Sequence, residues 1–211
     1  MSRILASMFL AAAILNPLSA QAFGLPGIPS LGNASSGAGS TDLSGSQDQL
    51  VTQYVGANKE VLNANSKMAD ALGLKETAET ARAAASTLTT GATKDGLKDG
   101  DKASSMTTDA IAAAEKNPPV MDAQAKATYA SGLASLGIAV VKYVGMKQPL
   151  SQFQSGLSSV SPMMLPKLQS GAYIVTSFPT NLTNLTSALS GAIAFAKAHD
   201  IAVPAEATNA I

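Results

Sequence analysis

Acid–base and nucleophilic chemistry needs a base, an activated hydroxyl or thiol, or paired carboxylates, and this chain supplies few candidates. Its one histidine, His199, stands beside Asp200 near the end of the last helical stretch. A catalytic triad would use it as base, but at that place it is a favourable cation for a helix C-terminus. The many serines lie in no G-x-S-x-G elbow and no S-x-x-K pattern, so none has a recognisable activating neighbour. Asp95, Asp99 and Asp101 could collect oxygen ligands for calcium. Laying the calcium-loop pattern on them puts Leu97 at the third position and Met106 at the closing glutamate, so two ligands fail. One histidine and no cysteine disfavour zinc. Glu76 and Glu79 are paired acids, but Glu79 and Arg82 make an ordinary i,i+3 pair on a charged face. Gly37-Ala38-Gly39 has no strand before it and no helix directly after it, so it is no phosphate cradle. The expectation is no catalytic, cofactor-binding or metal-ligating residue, and no enzyme.

The elements that would position any site begin after an export signal. Arg3 precedes an apolar run from Ile4 to Leu15, then Asn16-Pro17 and Ala20-Gln21-Ala22, a secretory signal with cleavage after Ala22. The product is expected in the periplasm or secreted, cysteine-free and held by packing alone. Residues 23–45 are rich in Gly, Ser and Pro and read as a flexible leader. Residues 46–200 read as one helical-bundle domain, and 201–211 as a tail. A domain of about 150 residues buries roughly 70% of the surface its unfolded chain exposes.

Within that domain the apolar residues recur at helical spacing, predicting an all-α bundle of five to seven helices. Ser46 with Gln49 looks like a capping box. Leu50, Tyr54, Val61, Met68 and Leu72 share a face, widened by Val51, Val55, Leu62 and Ala69, and Gly73 supplies a left-handed cap. Leu74 to Thr90 reads as a second helix, and 91–102, with the repeated Lys-Asp-Gly, as a polar loop. Lys102 to Lys116 follows, with Met106, Ala110, Ile111 and Ala114 inward. Val120 to Lys147 is the longest helix, with Tyr129, Leu133, Leu136, Val140, Tyr143 and Val144 as its stripe. Gln148-Pro149 opens another, carrying Leu150, Phe153, Leu157 and Val160. Met163 to Phe178 reads as helix with a break near Pro166, and Thr180 to His199 as the last, with Leu182, Leu185, Leu189, Ile193 and Ala196 buried. Ala172 to Phe178, the one strand candidate, is too isolated to pair.

Charge divides the chain. From Phe23 to Asp122 there are 8 Lys or Arg against 12 Asp or Glu, a balance of −4; from Ala123 on there are 5 against 2, a balance of +3. No acid occurs between Ala123 and His199, so any carboxylate at a core site must come from the first half. Without clustered Lys and Arg, nucleic-acid binding is disfavoured.

Tyr129 to Met146 carries one charge in 18 residues, close to bilayer-spanning length. Its six large aliphatics contribute roughly −2 to −3.5 kcal/mol on an insertion scale while Lys142 costs up to about 3, which disfavours membrane association. Ser131/Ser135, Ser187/Gly191 and Ala188/Ala192/Ala196 place small side chains four apart, which permits close packing or a slot between helices. Asn33, Asn181 and Asn184 head glycosylation sequons. The first expectation for function is an interaction or structural module contacting another protein. The second is a soluble carrier of an apolar small molecule or lipid, favoured by an enclosed apolar cavity above about 300 Å³. The third is a membrane-inserting helical protein.

Overall fold

A computed structural model describes residues 43–211, which are helical with no strand among them. Six helices follow in order: α1 (Leu43–Ala71), α2 (Lys75–Thr87), α3 (Lys94–Glu115), α4 (Ala123–Gly145), α5 (Lys147–Leu157) and α6 (Gln169–Ala198). A 3₁₀ turn, Leu165–Leu168, leads into α6, and a short α7 (Ala205–Thr208) ends the chain. The expected signal sequence and all but the last three residues of the expected leader lie outside the described residues.

The first helix is the axis of the bundle. Leu50, Val51, Tyr54, Val55, Val61, Leu62, Met68, Ala69 and Leu72 are all buried, as their spacing predicts. Burying a side chain of this size contributes about 1.5–3 kcal/mol, so this one stripe is the largest local term in the core. Helix α1 begins at Leu43, which places Ser46 inside it rather than at its start. It ends as expected: Gly73 has φ 75°, and Leu74 N–H closes on Ala69 O at 2.8 Å.

Pairings along the chain give the helix directions. Tyr54 and Asn58 meet Asp101 while Asn65 meets Thr107, and Gln47 meets Gly171 while Tyr54 meets Asn181. Helices α1, α3 and α6 therefore run the same way. Glu60 pairs with Lys142 and Lys67 with Ser135, so α4 runs against them.

Several boundaries differ from the sequence reading. The Lys-Asp-Gly repeat is not a loop but the first two turns of α3, capped by the Thr93 hydroxyl accepting from Gly96 N–H. Its four-residue period fits a helix with Leu97 buried; a Cβ on Gly100 would lie 2.8 Å from Leu88 Cδ2, so the glycine there admits a neighbour. Helix α2 ends at Thr87 and α4 starts after Asp122, whose carboxylate accepts from Ala125 N–H at 2.7 Å. On α3, Met106 is 57% exposed; polar Ser104 and Thr107 take the inward places because α1 presents asparagines to bond them. On α4, Val144 is exposed together with Ile138 and Val141.

Pro179 does not divide the last two segments: α6 runs through it for 30 residues. The lost donor is offset by the burial of Ile174 and Phe178 before it and Leu185 and Leu189 after it. Residues 201–211 are more than a tail, since Ile201 and Ala207 are buried and α7 packs on α4 at Gly137. Arg82 reaches Asp70 on α1 at 2.7 Å, an ion pair between helices, rather than Glu79.

Candidate functional site

Helices α3 and α6 lie side by side over α1, and where they meet it Asn58, Asn65, Ser104 and Thr107 make up most of the buried polar side chains among the described residues. Asp101 is the centre of this seam. Oδ2 accepts from the Tyr54 hydroxyl at 2.7 Å, the Tyr173 hydroxyl at 2.6 Å and Asn181 Nδ2 at 2.9 Å, and Oδ1 accepts from Asn58 Nδ2 at 2.8 Å. Ser104 completes the chain by donating to Asn58 Oδ1 at 3.3 Å. Burial first, and then the negative charge of Asp101, push the Tyr54 phenol well above the usual tyrosine range. Burial and the hydrogen bond to Asp101 do the same for Tyr173. Both phenols therefore stay protonated and remain donors.

Beside this network a cleft of about 430 Å³ runs between α3 and α6, open to solvent along one side. It extends from Asp101 to Glu115 on α3, fourteen residues and so about 20 Å of helix. The floor is mixed, with Val61 and Met68 beside Asn58 and Asn65 from α1, and Leu136 and Tyr143 from α4. Along α6 the wall is Asn181, Asn184, Leu185, Ser187, Ala188, Gly191 and Ala192. These include the small residues whose four-residue spacing allows a slot. The cleft passes the size expected for a carrier, but it is neither enclosed nor wholly apolar.

Three carboxylates line it, Asp101, Asp109 and Glu115, all from the acidic first half of the chain. Burial pushes the Glu115 carboxyl up; a hydrogen bond from the Tyr129 hydroxyl opposes that shift. Tyr129 is itself pushed far up, by burial and then by Glu115. Among the described residues the ion pairs are Arg82 with Asp70 and Lys142 with Glu60, so no basic side chain neutralises the cleft.

Asn65 lines the same cleft and is almost fully buried. Its Nδ2 approaches Ser104 O, Thr107 Oγ1 and Thr108 Oγ1 at 3.2, 2.8 and 2.9 Å, while its Oδ1 is buried without a partner.

The residues weighed as chemistry in the sequence are scattered. Asp95 and Asp99 are exposed on α3 while Asp101 turns inward, and no group of three His, Cys, Asp or Glu able to hold a metal occurs among the described residues. His199 caps α6 and its ring lies 4.3 Å from that of Phe195. The sequon residue Asn181 is engaged by Asp101 and Tyr54, Asn184 is exposed at the cleft, and Asn33 lies outside the described residues.

Asn58, Asn65 and Tyr173 carry the site and were not singled out from the sequence. The signal was there: Asn58 and Asn65 lie seven apart within the Tyr54–Val61–Met68 stripe, and a buried amide must find partners. No family model, no curated protein and no solved structure matches this chain.

Proposed function

We propose that the chain is an exported, non-enzymatic binding module that carries a small elongated ligand in the α3–α6 cleft. The observation that carries this reading is the 430 Å³ cleft itself, which falls within the size range of small-molecule sites and sets apolar side chains such as Val61, Met68 and Leu136 among polar groups. Export rests on Arg3, the apolar run Ile4 to Leu15 and Ala20-Gln21-Ala22. The polar groups of the seam favour binding over catalysis: Asp101 is engaged by four donors, and its tyrosines are held protonated by burial.

Native mass spectrometry of gently purified protein tests the reading. A stoichiometric small-molecule adduct that is lost in Ala188→Trp, which fills the cleft, is the expected result. A reproducibly bare wild-type chain overturns it.

A second reading draws on α4. Ile138, Val141 and Val144 are 39%, 56% and 44% exposed on its outer side. The continuous run Ala123–Leu157 is long and apolar enough to cross a membrane, with 56% of its most apolar window buried within the bundle. That pattern favours contact with a protein or bilayer surface through α4. Sedimentation with liposomes, lost in Val141→Asp, would support it.

A further inference from the structure

Helices α4 and α5 make one helical run, Ala123–Leu157. Ala127, Ala134, Ile138, Val141, Gln148 and Ser155 recur along it at steps of three, four or seven, so they share one face. All are exposed except Ala134, which is half-buried. No charged residue falls on that line, whereas the solvent side of a helix is ordinarily charged or polar. Its middle is the exposed patch of Ile138, Val141 and Val144. At Gly145 a Cβ would meet nothing within 4 Å, so a second helix can approach there.

The line is matched to itself. A two-fold axis through Val141, perpendicular to the run, sets Val141 against its own copy, Ile138 against Val144, Ala134 against Gln148 and Ala127 against Ser155 of a second, antiparallel chain. Aliphatic side chains then meet aliphatic ones, and alanine meets uncharged polar groups. At 3.6 residues per turn Lys142 stands on one flank and Lys147 on the other, the flank where α7 packs at Gly137. The rotation keeps each flank on its own side. Exposed Glu206 of α7, whose carbonyl lies against Gly137, comes level with Gly145 of the second copy, two residues from the exposed Lys147 there. Opposite charges therefore meet twice, once on each side of the axis. Lys142 is already paired with Glu60, and Lys126 comes level with Gly156.

We propose that this face pairs with a second copy of the chain, as an antiparallel two-fold dimer centred on Val141. This rests on the outer side of α4 being a contact surface. The run of 35 residues is about 50 Å long. A helix-to-helix contact about 10 Å wide along it buries roughly 500 Å² per copy, which reaches the total of about 1,000 Å² that a specific interface needs and stays well below an obligate one. The dimer is therefore a reversible, micromolar-range species. An anionic bilayer gains less from the same face, since Glu60 neutralises Lys142 and Glu206 balances Lys147.

Sedimentation equilibrium of the chain purified after export tests this, with every variant first shown to melt cooperatively. Wild type should give a monomer–dimer equilibrium. Val141→Asp, which sets two carboxylates face to face on the axis, should weaken it at least about tenfold. Lys147→Glu should weaken it about tenfold, and Glu206→Lys added to it should restore it. The chain has no cysteine, so introduced thiols report the register. Under oxidation Val141→Cys should link to itself, and Ala127→Cys should link to Ser155→Cys in a mixture but not to itself. A monomer at all concentrations overturns the dimer, as does self-linking of Ala127→Cys or a charge swap that fails to restore association. If that monomer still sediments with liposomes and loses this in Val141→Asp, the α4 contact reading stands with a bilayer as occupant. Dimerisation that Val141→Asp leaves unchanged places the interface elsewhere, and with no liposome binding the α4 reading falls too.

Discussion

The Tyr54 hydroxyl donates to Asp101 Oδ2 at 2.7 Å from α1 to α3 and at the same oxygen accepts from Asn181 of α6 at 2.6 Å. One phenol thus ties three helices to one carboxylate, in a region where each group left without a partner would cost stability.

Asp101→Asn replaces an acceptor oxygen with a donor amide facing Tyr and Asn donors. The substitution should destabilise the fold by about 2–3 kcal/mol, read by urea unfolding at 222 nm. Asp95→Asn and Asp99→Asn, on the exposed face of the same helix, should each fall within about 0.5 kcal/mol of wild type. Equal effects at all three positions would contradict the network.

Gly137→Ala brings a Cβ to 2.2 Å from Glu206 O, a backbone atom that cannot move aside without α7. The cost should be about 1–3 kcal/mol, with faster proteolysis confined to residues after Ile201. Gly145→Ala, where a Cβ meets nothing within 4 Å, is the matched control.

Asp200 closes α6 with φ 53°, while Ile201 N–H reaches Ala196 O at 2.8 Å. A side chain costs about 1–2 kcal/mol in that left-handed conformation, and an acid there opposes the helix dipole. Asp200→Gly should therefore stabilise by about 1 kcal/mol and raise Tm by about 2–4 °C. A lowered Tm would show that the Asp200 side chain makes a compensating contact.

Burial raises the Glu115 carboxyl in the folded state, so the fold favours its protonated form. Ionised Glu115 costs stability above that raised range, and the cost fades as pH falls toward the unfolded value of about 4.3. Glu115→Gln should accordingly melt higher than wild type at pH 7, with the gap closing near pH 4. A gap constant from pH 7 to 3.5 would remove burial as its cause.

Periodicity made the architecture legible because α1, α4 and most of α6 bury aliphatic residues at regular spacing: Leu50 through Leu72 needed no correction. It failed where polar residues face inward. Ser104 and Thr107 displaced Met106 from the core side of α3 because their partners, Asn58 and Asn65, are some forty residues away. Local chemistry misled in two other places. The Lys-Asp-Gly repeat has turn composition, yet Leu97 anchors it as helix, and Pro179 has the composition of a break that the packing on both sides overrides. The slot was foreseeable from the small residues of α6; its acidic wall required knowing that α3 lies beside them.

The partners of Asp101 are 43, 47, 72 and 80 residues away along the chain. A nascent chain that has reached only α4 holds two of the four donors and leaves the carboxylate hydrated. Closure of the network must await the arrival of Tyr173 and Asn181, so α6 is a late and obligatory participant in cooperative folding, and amide exchange at α3 should slow in step with that at α6.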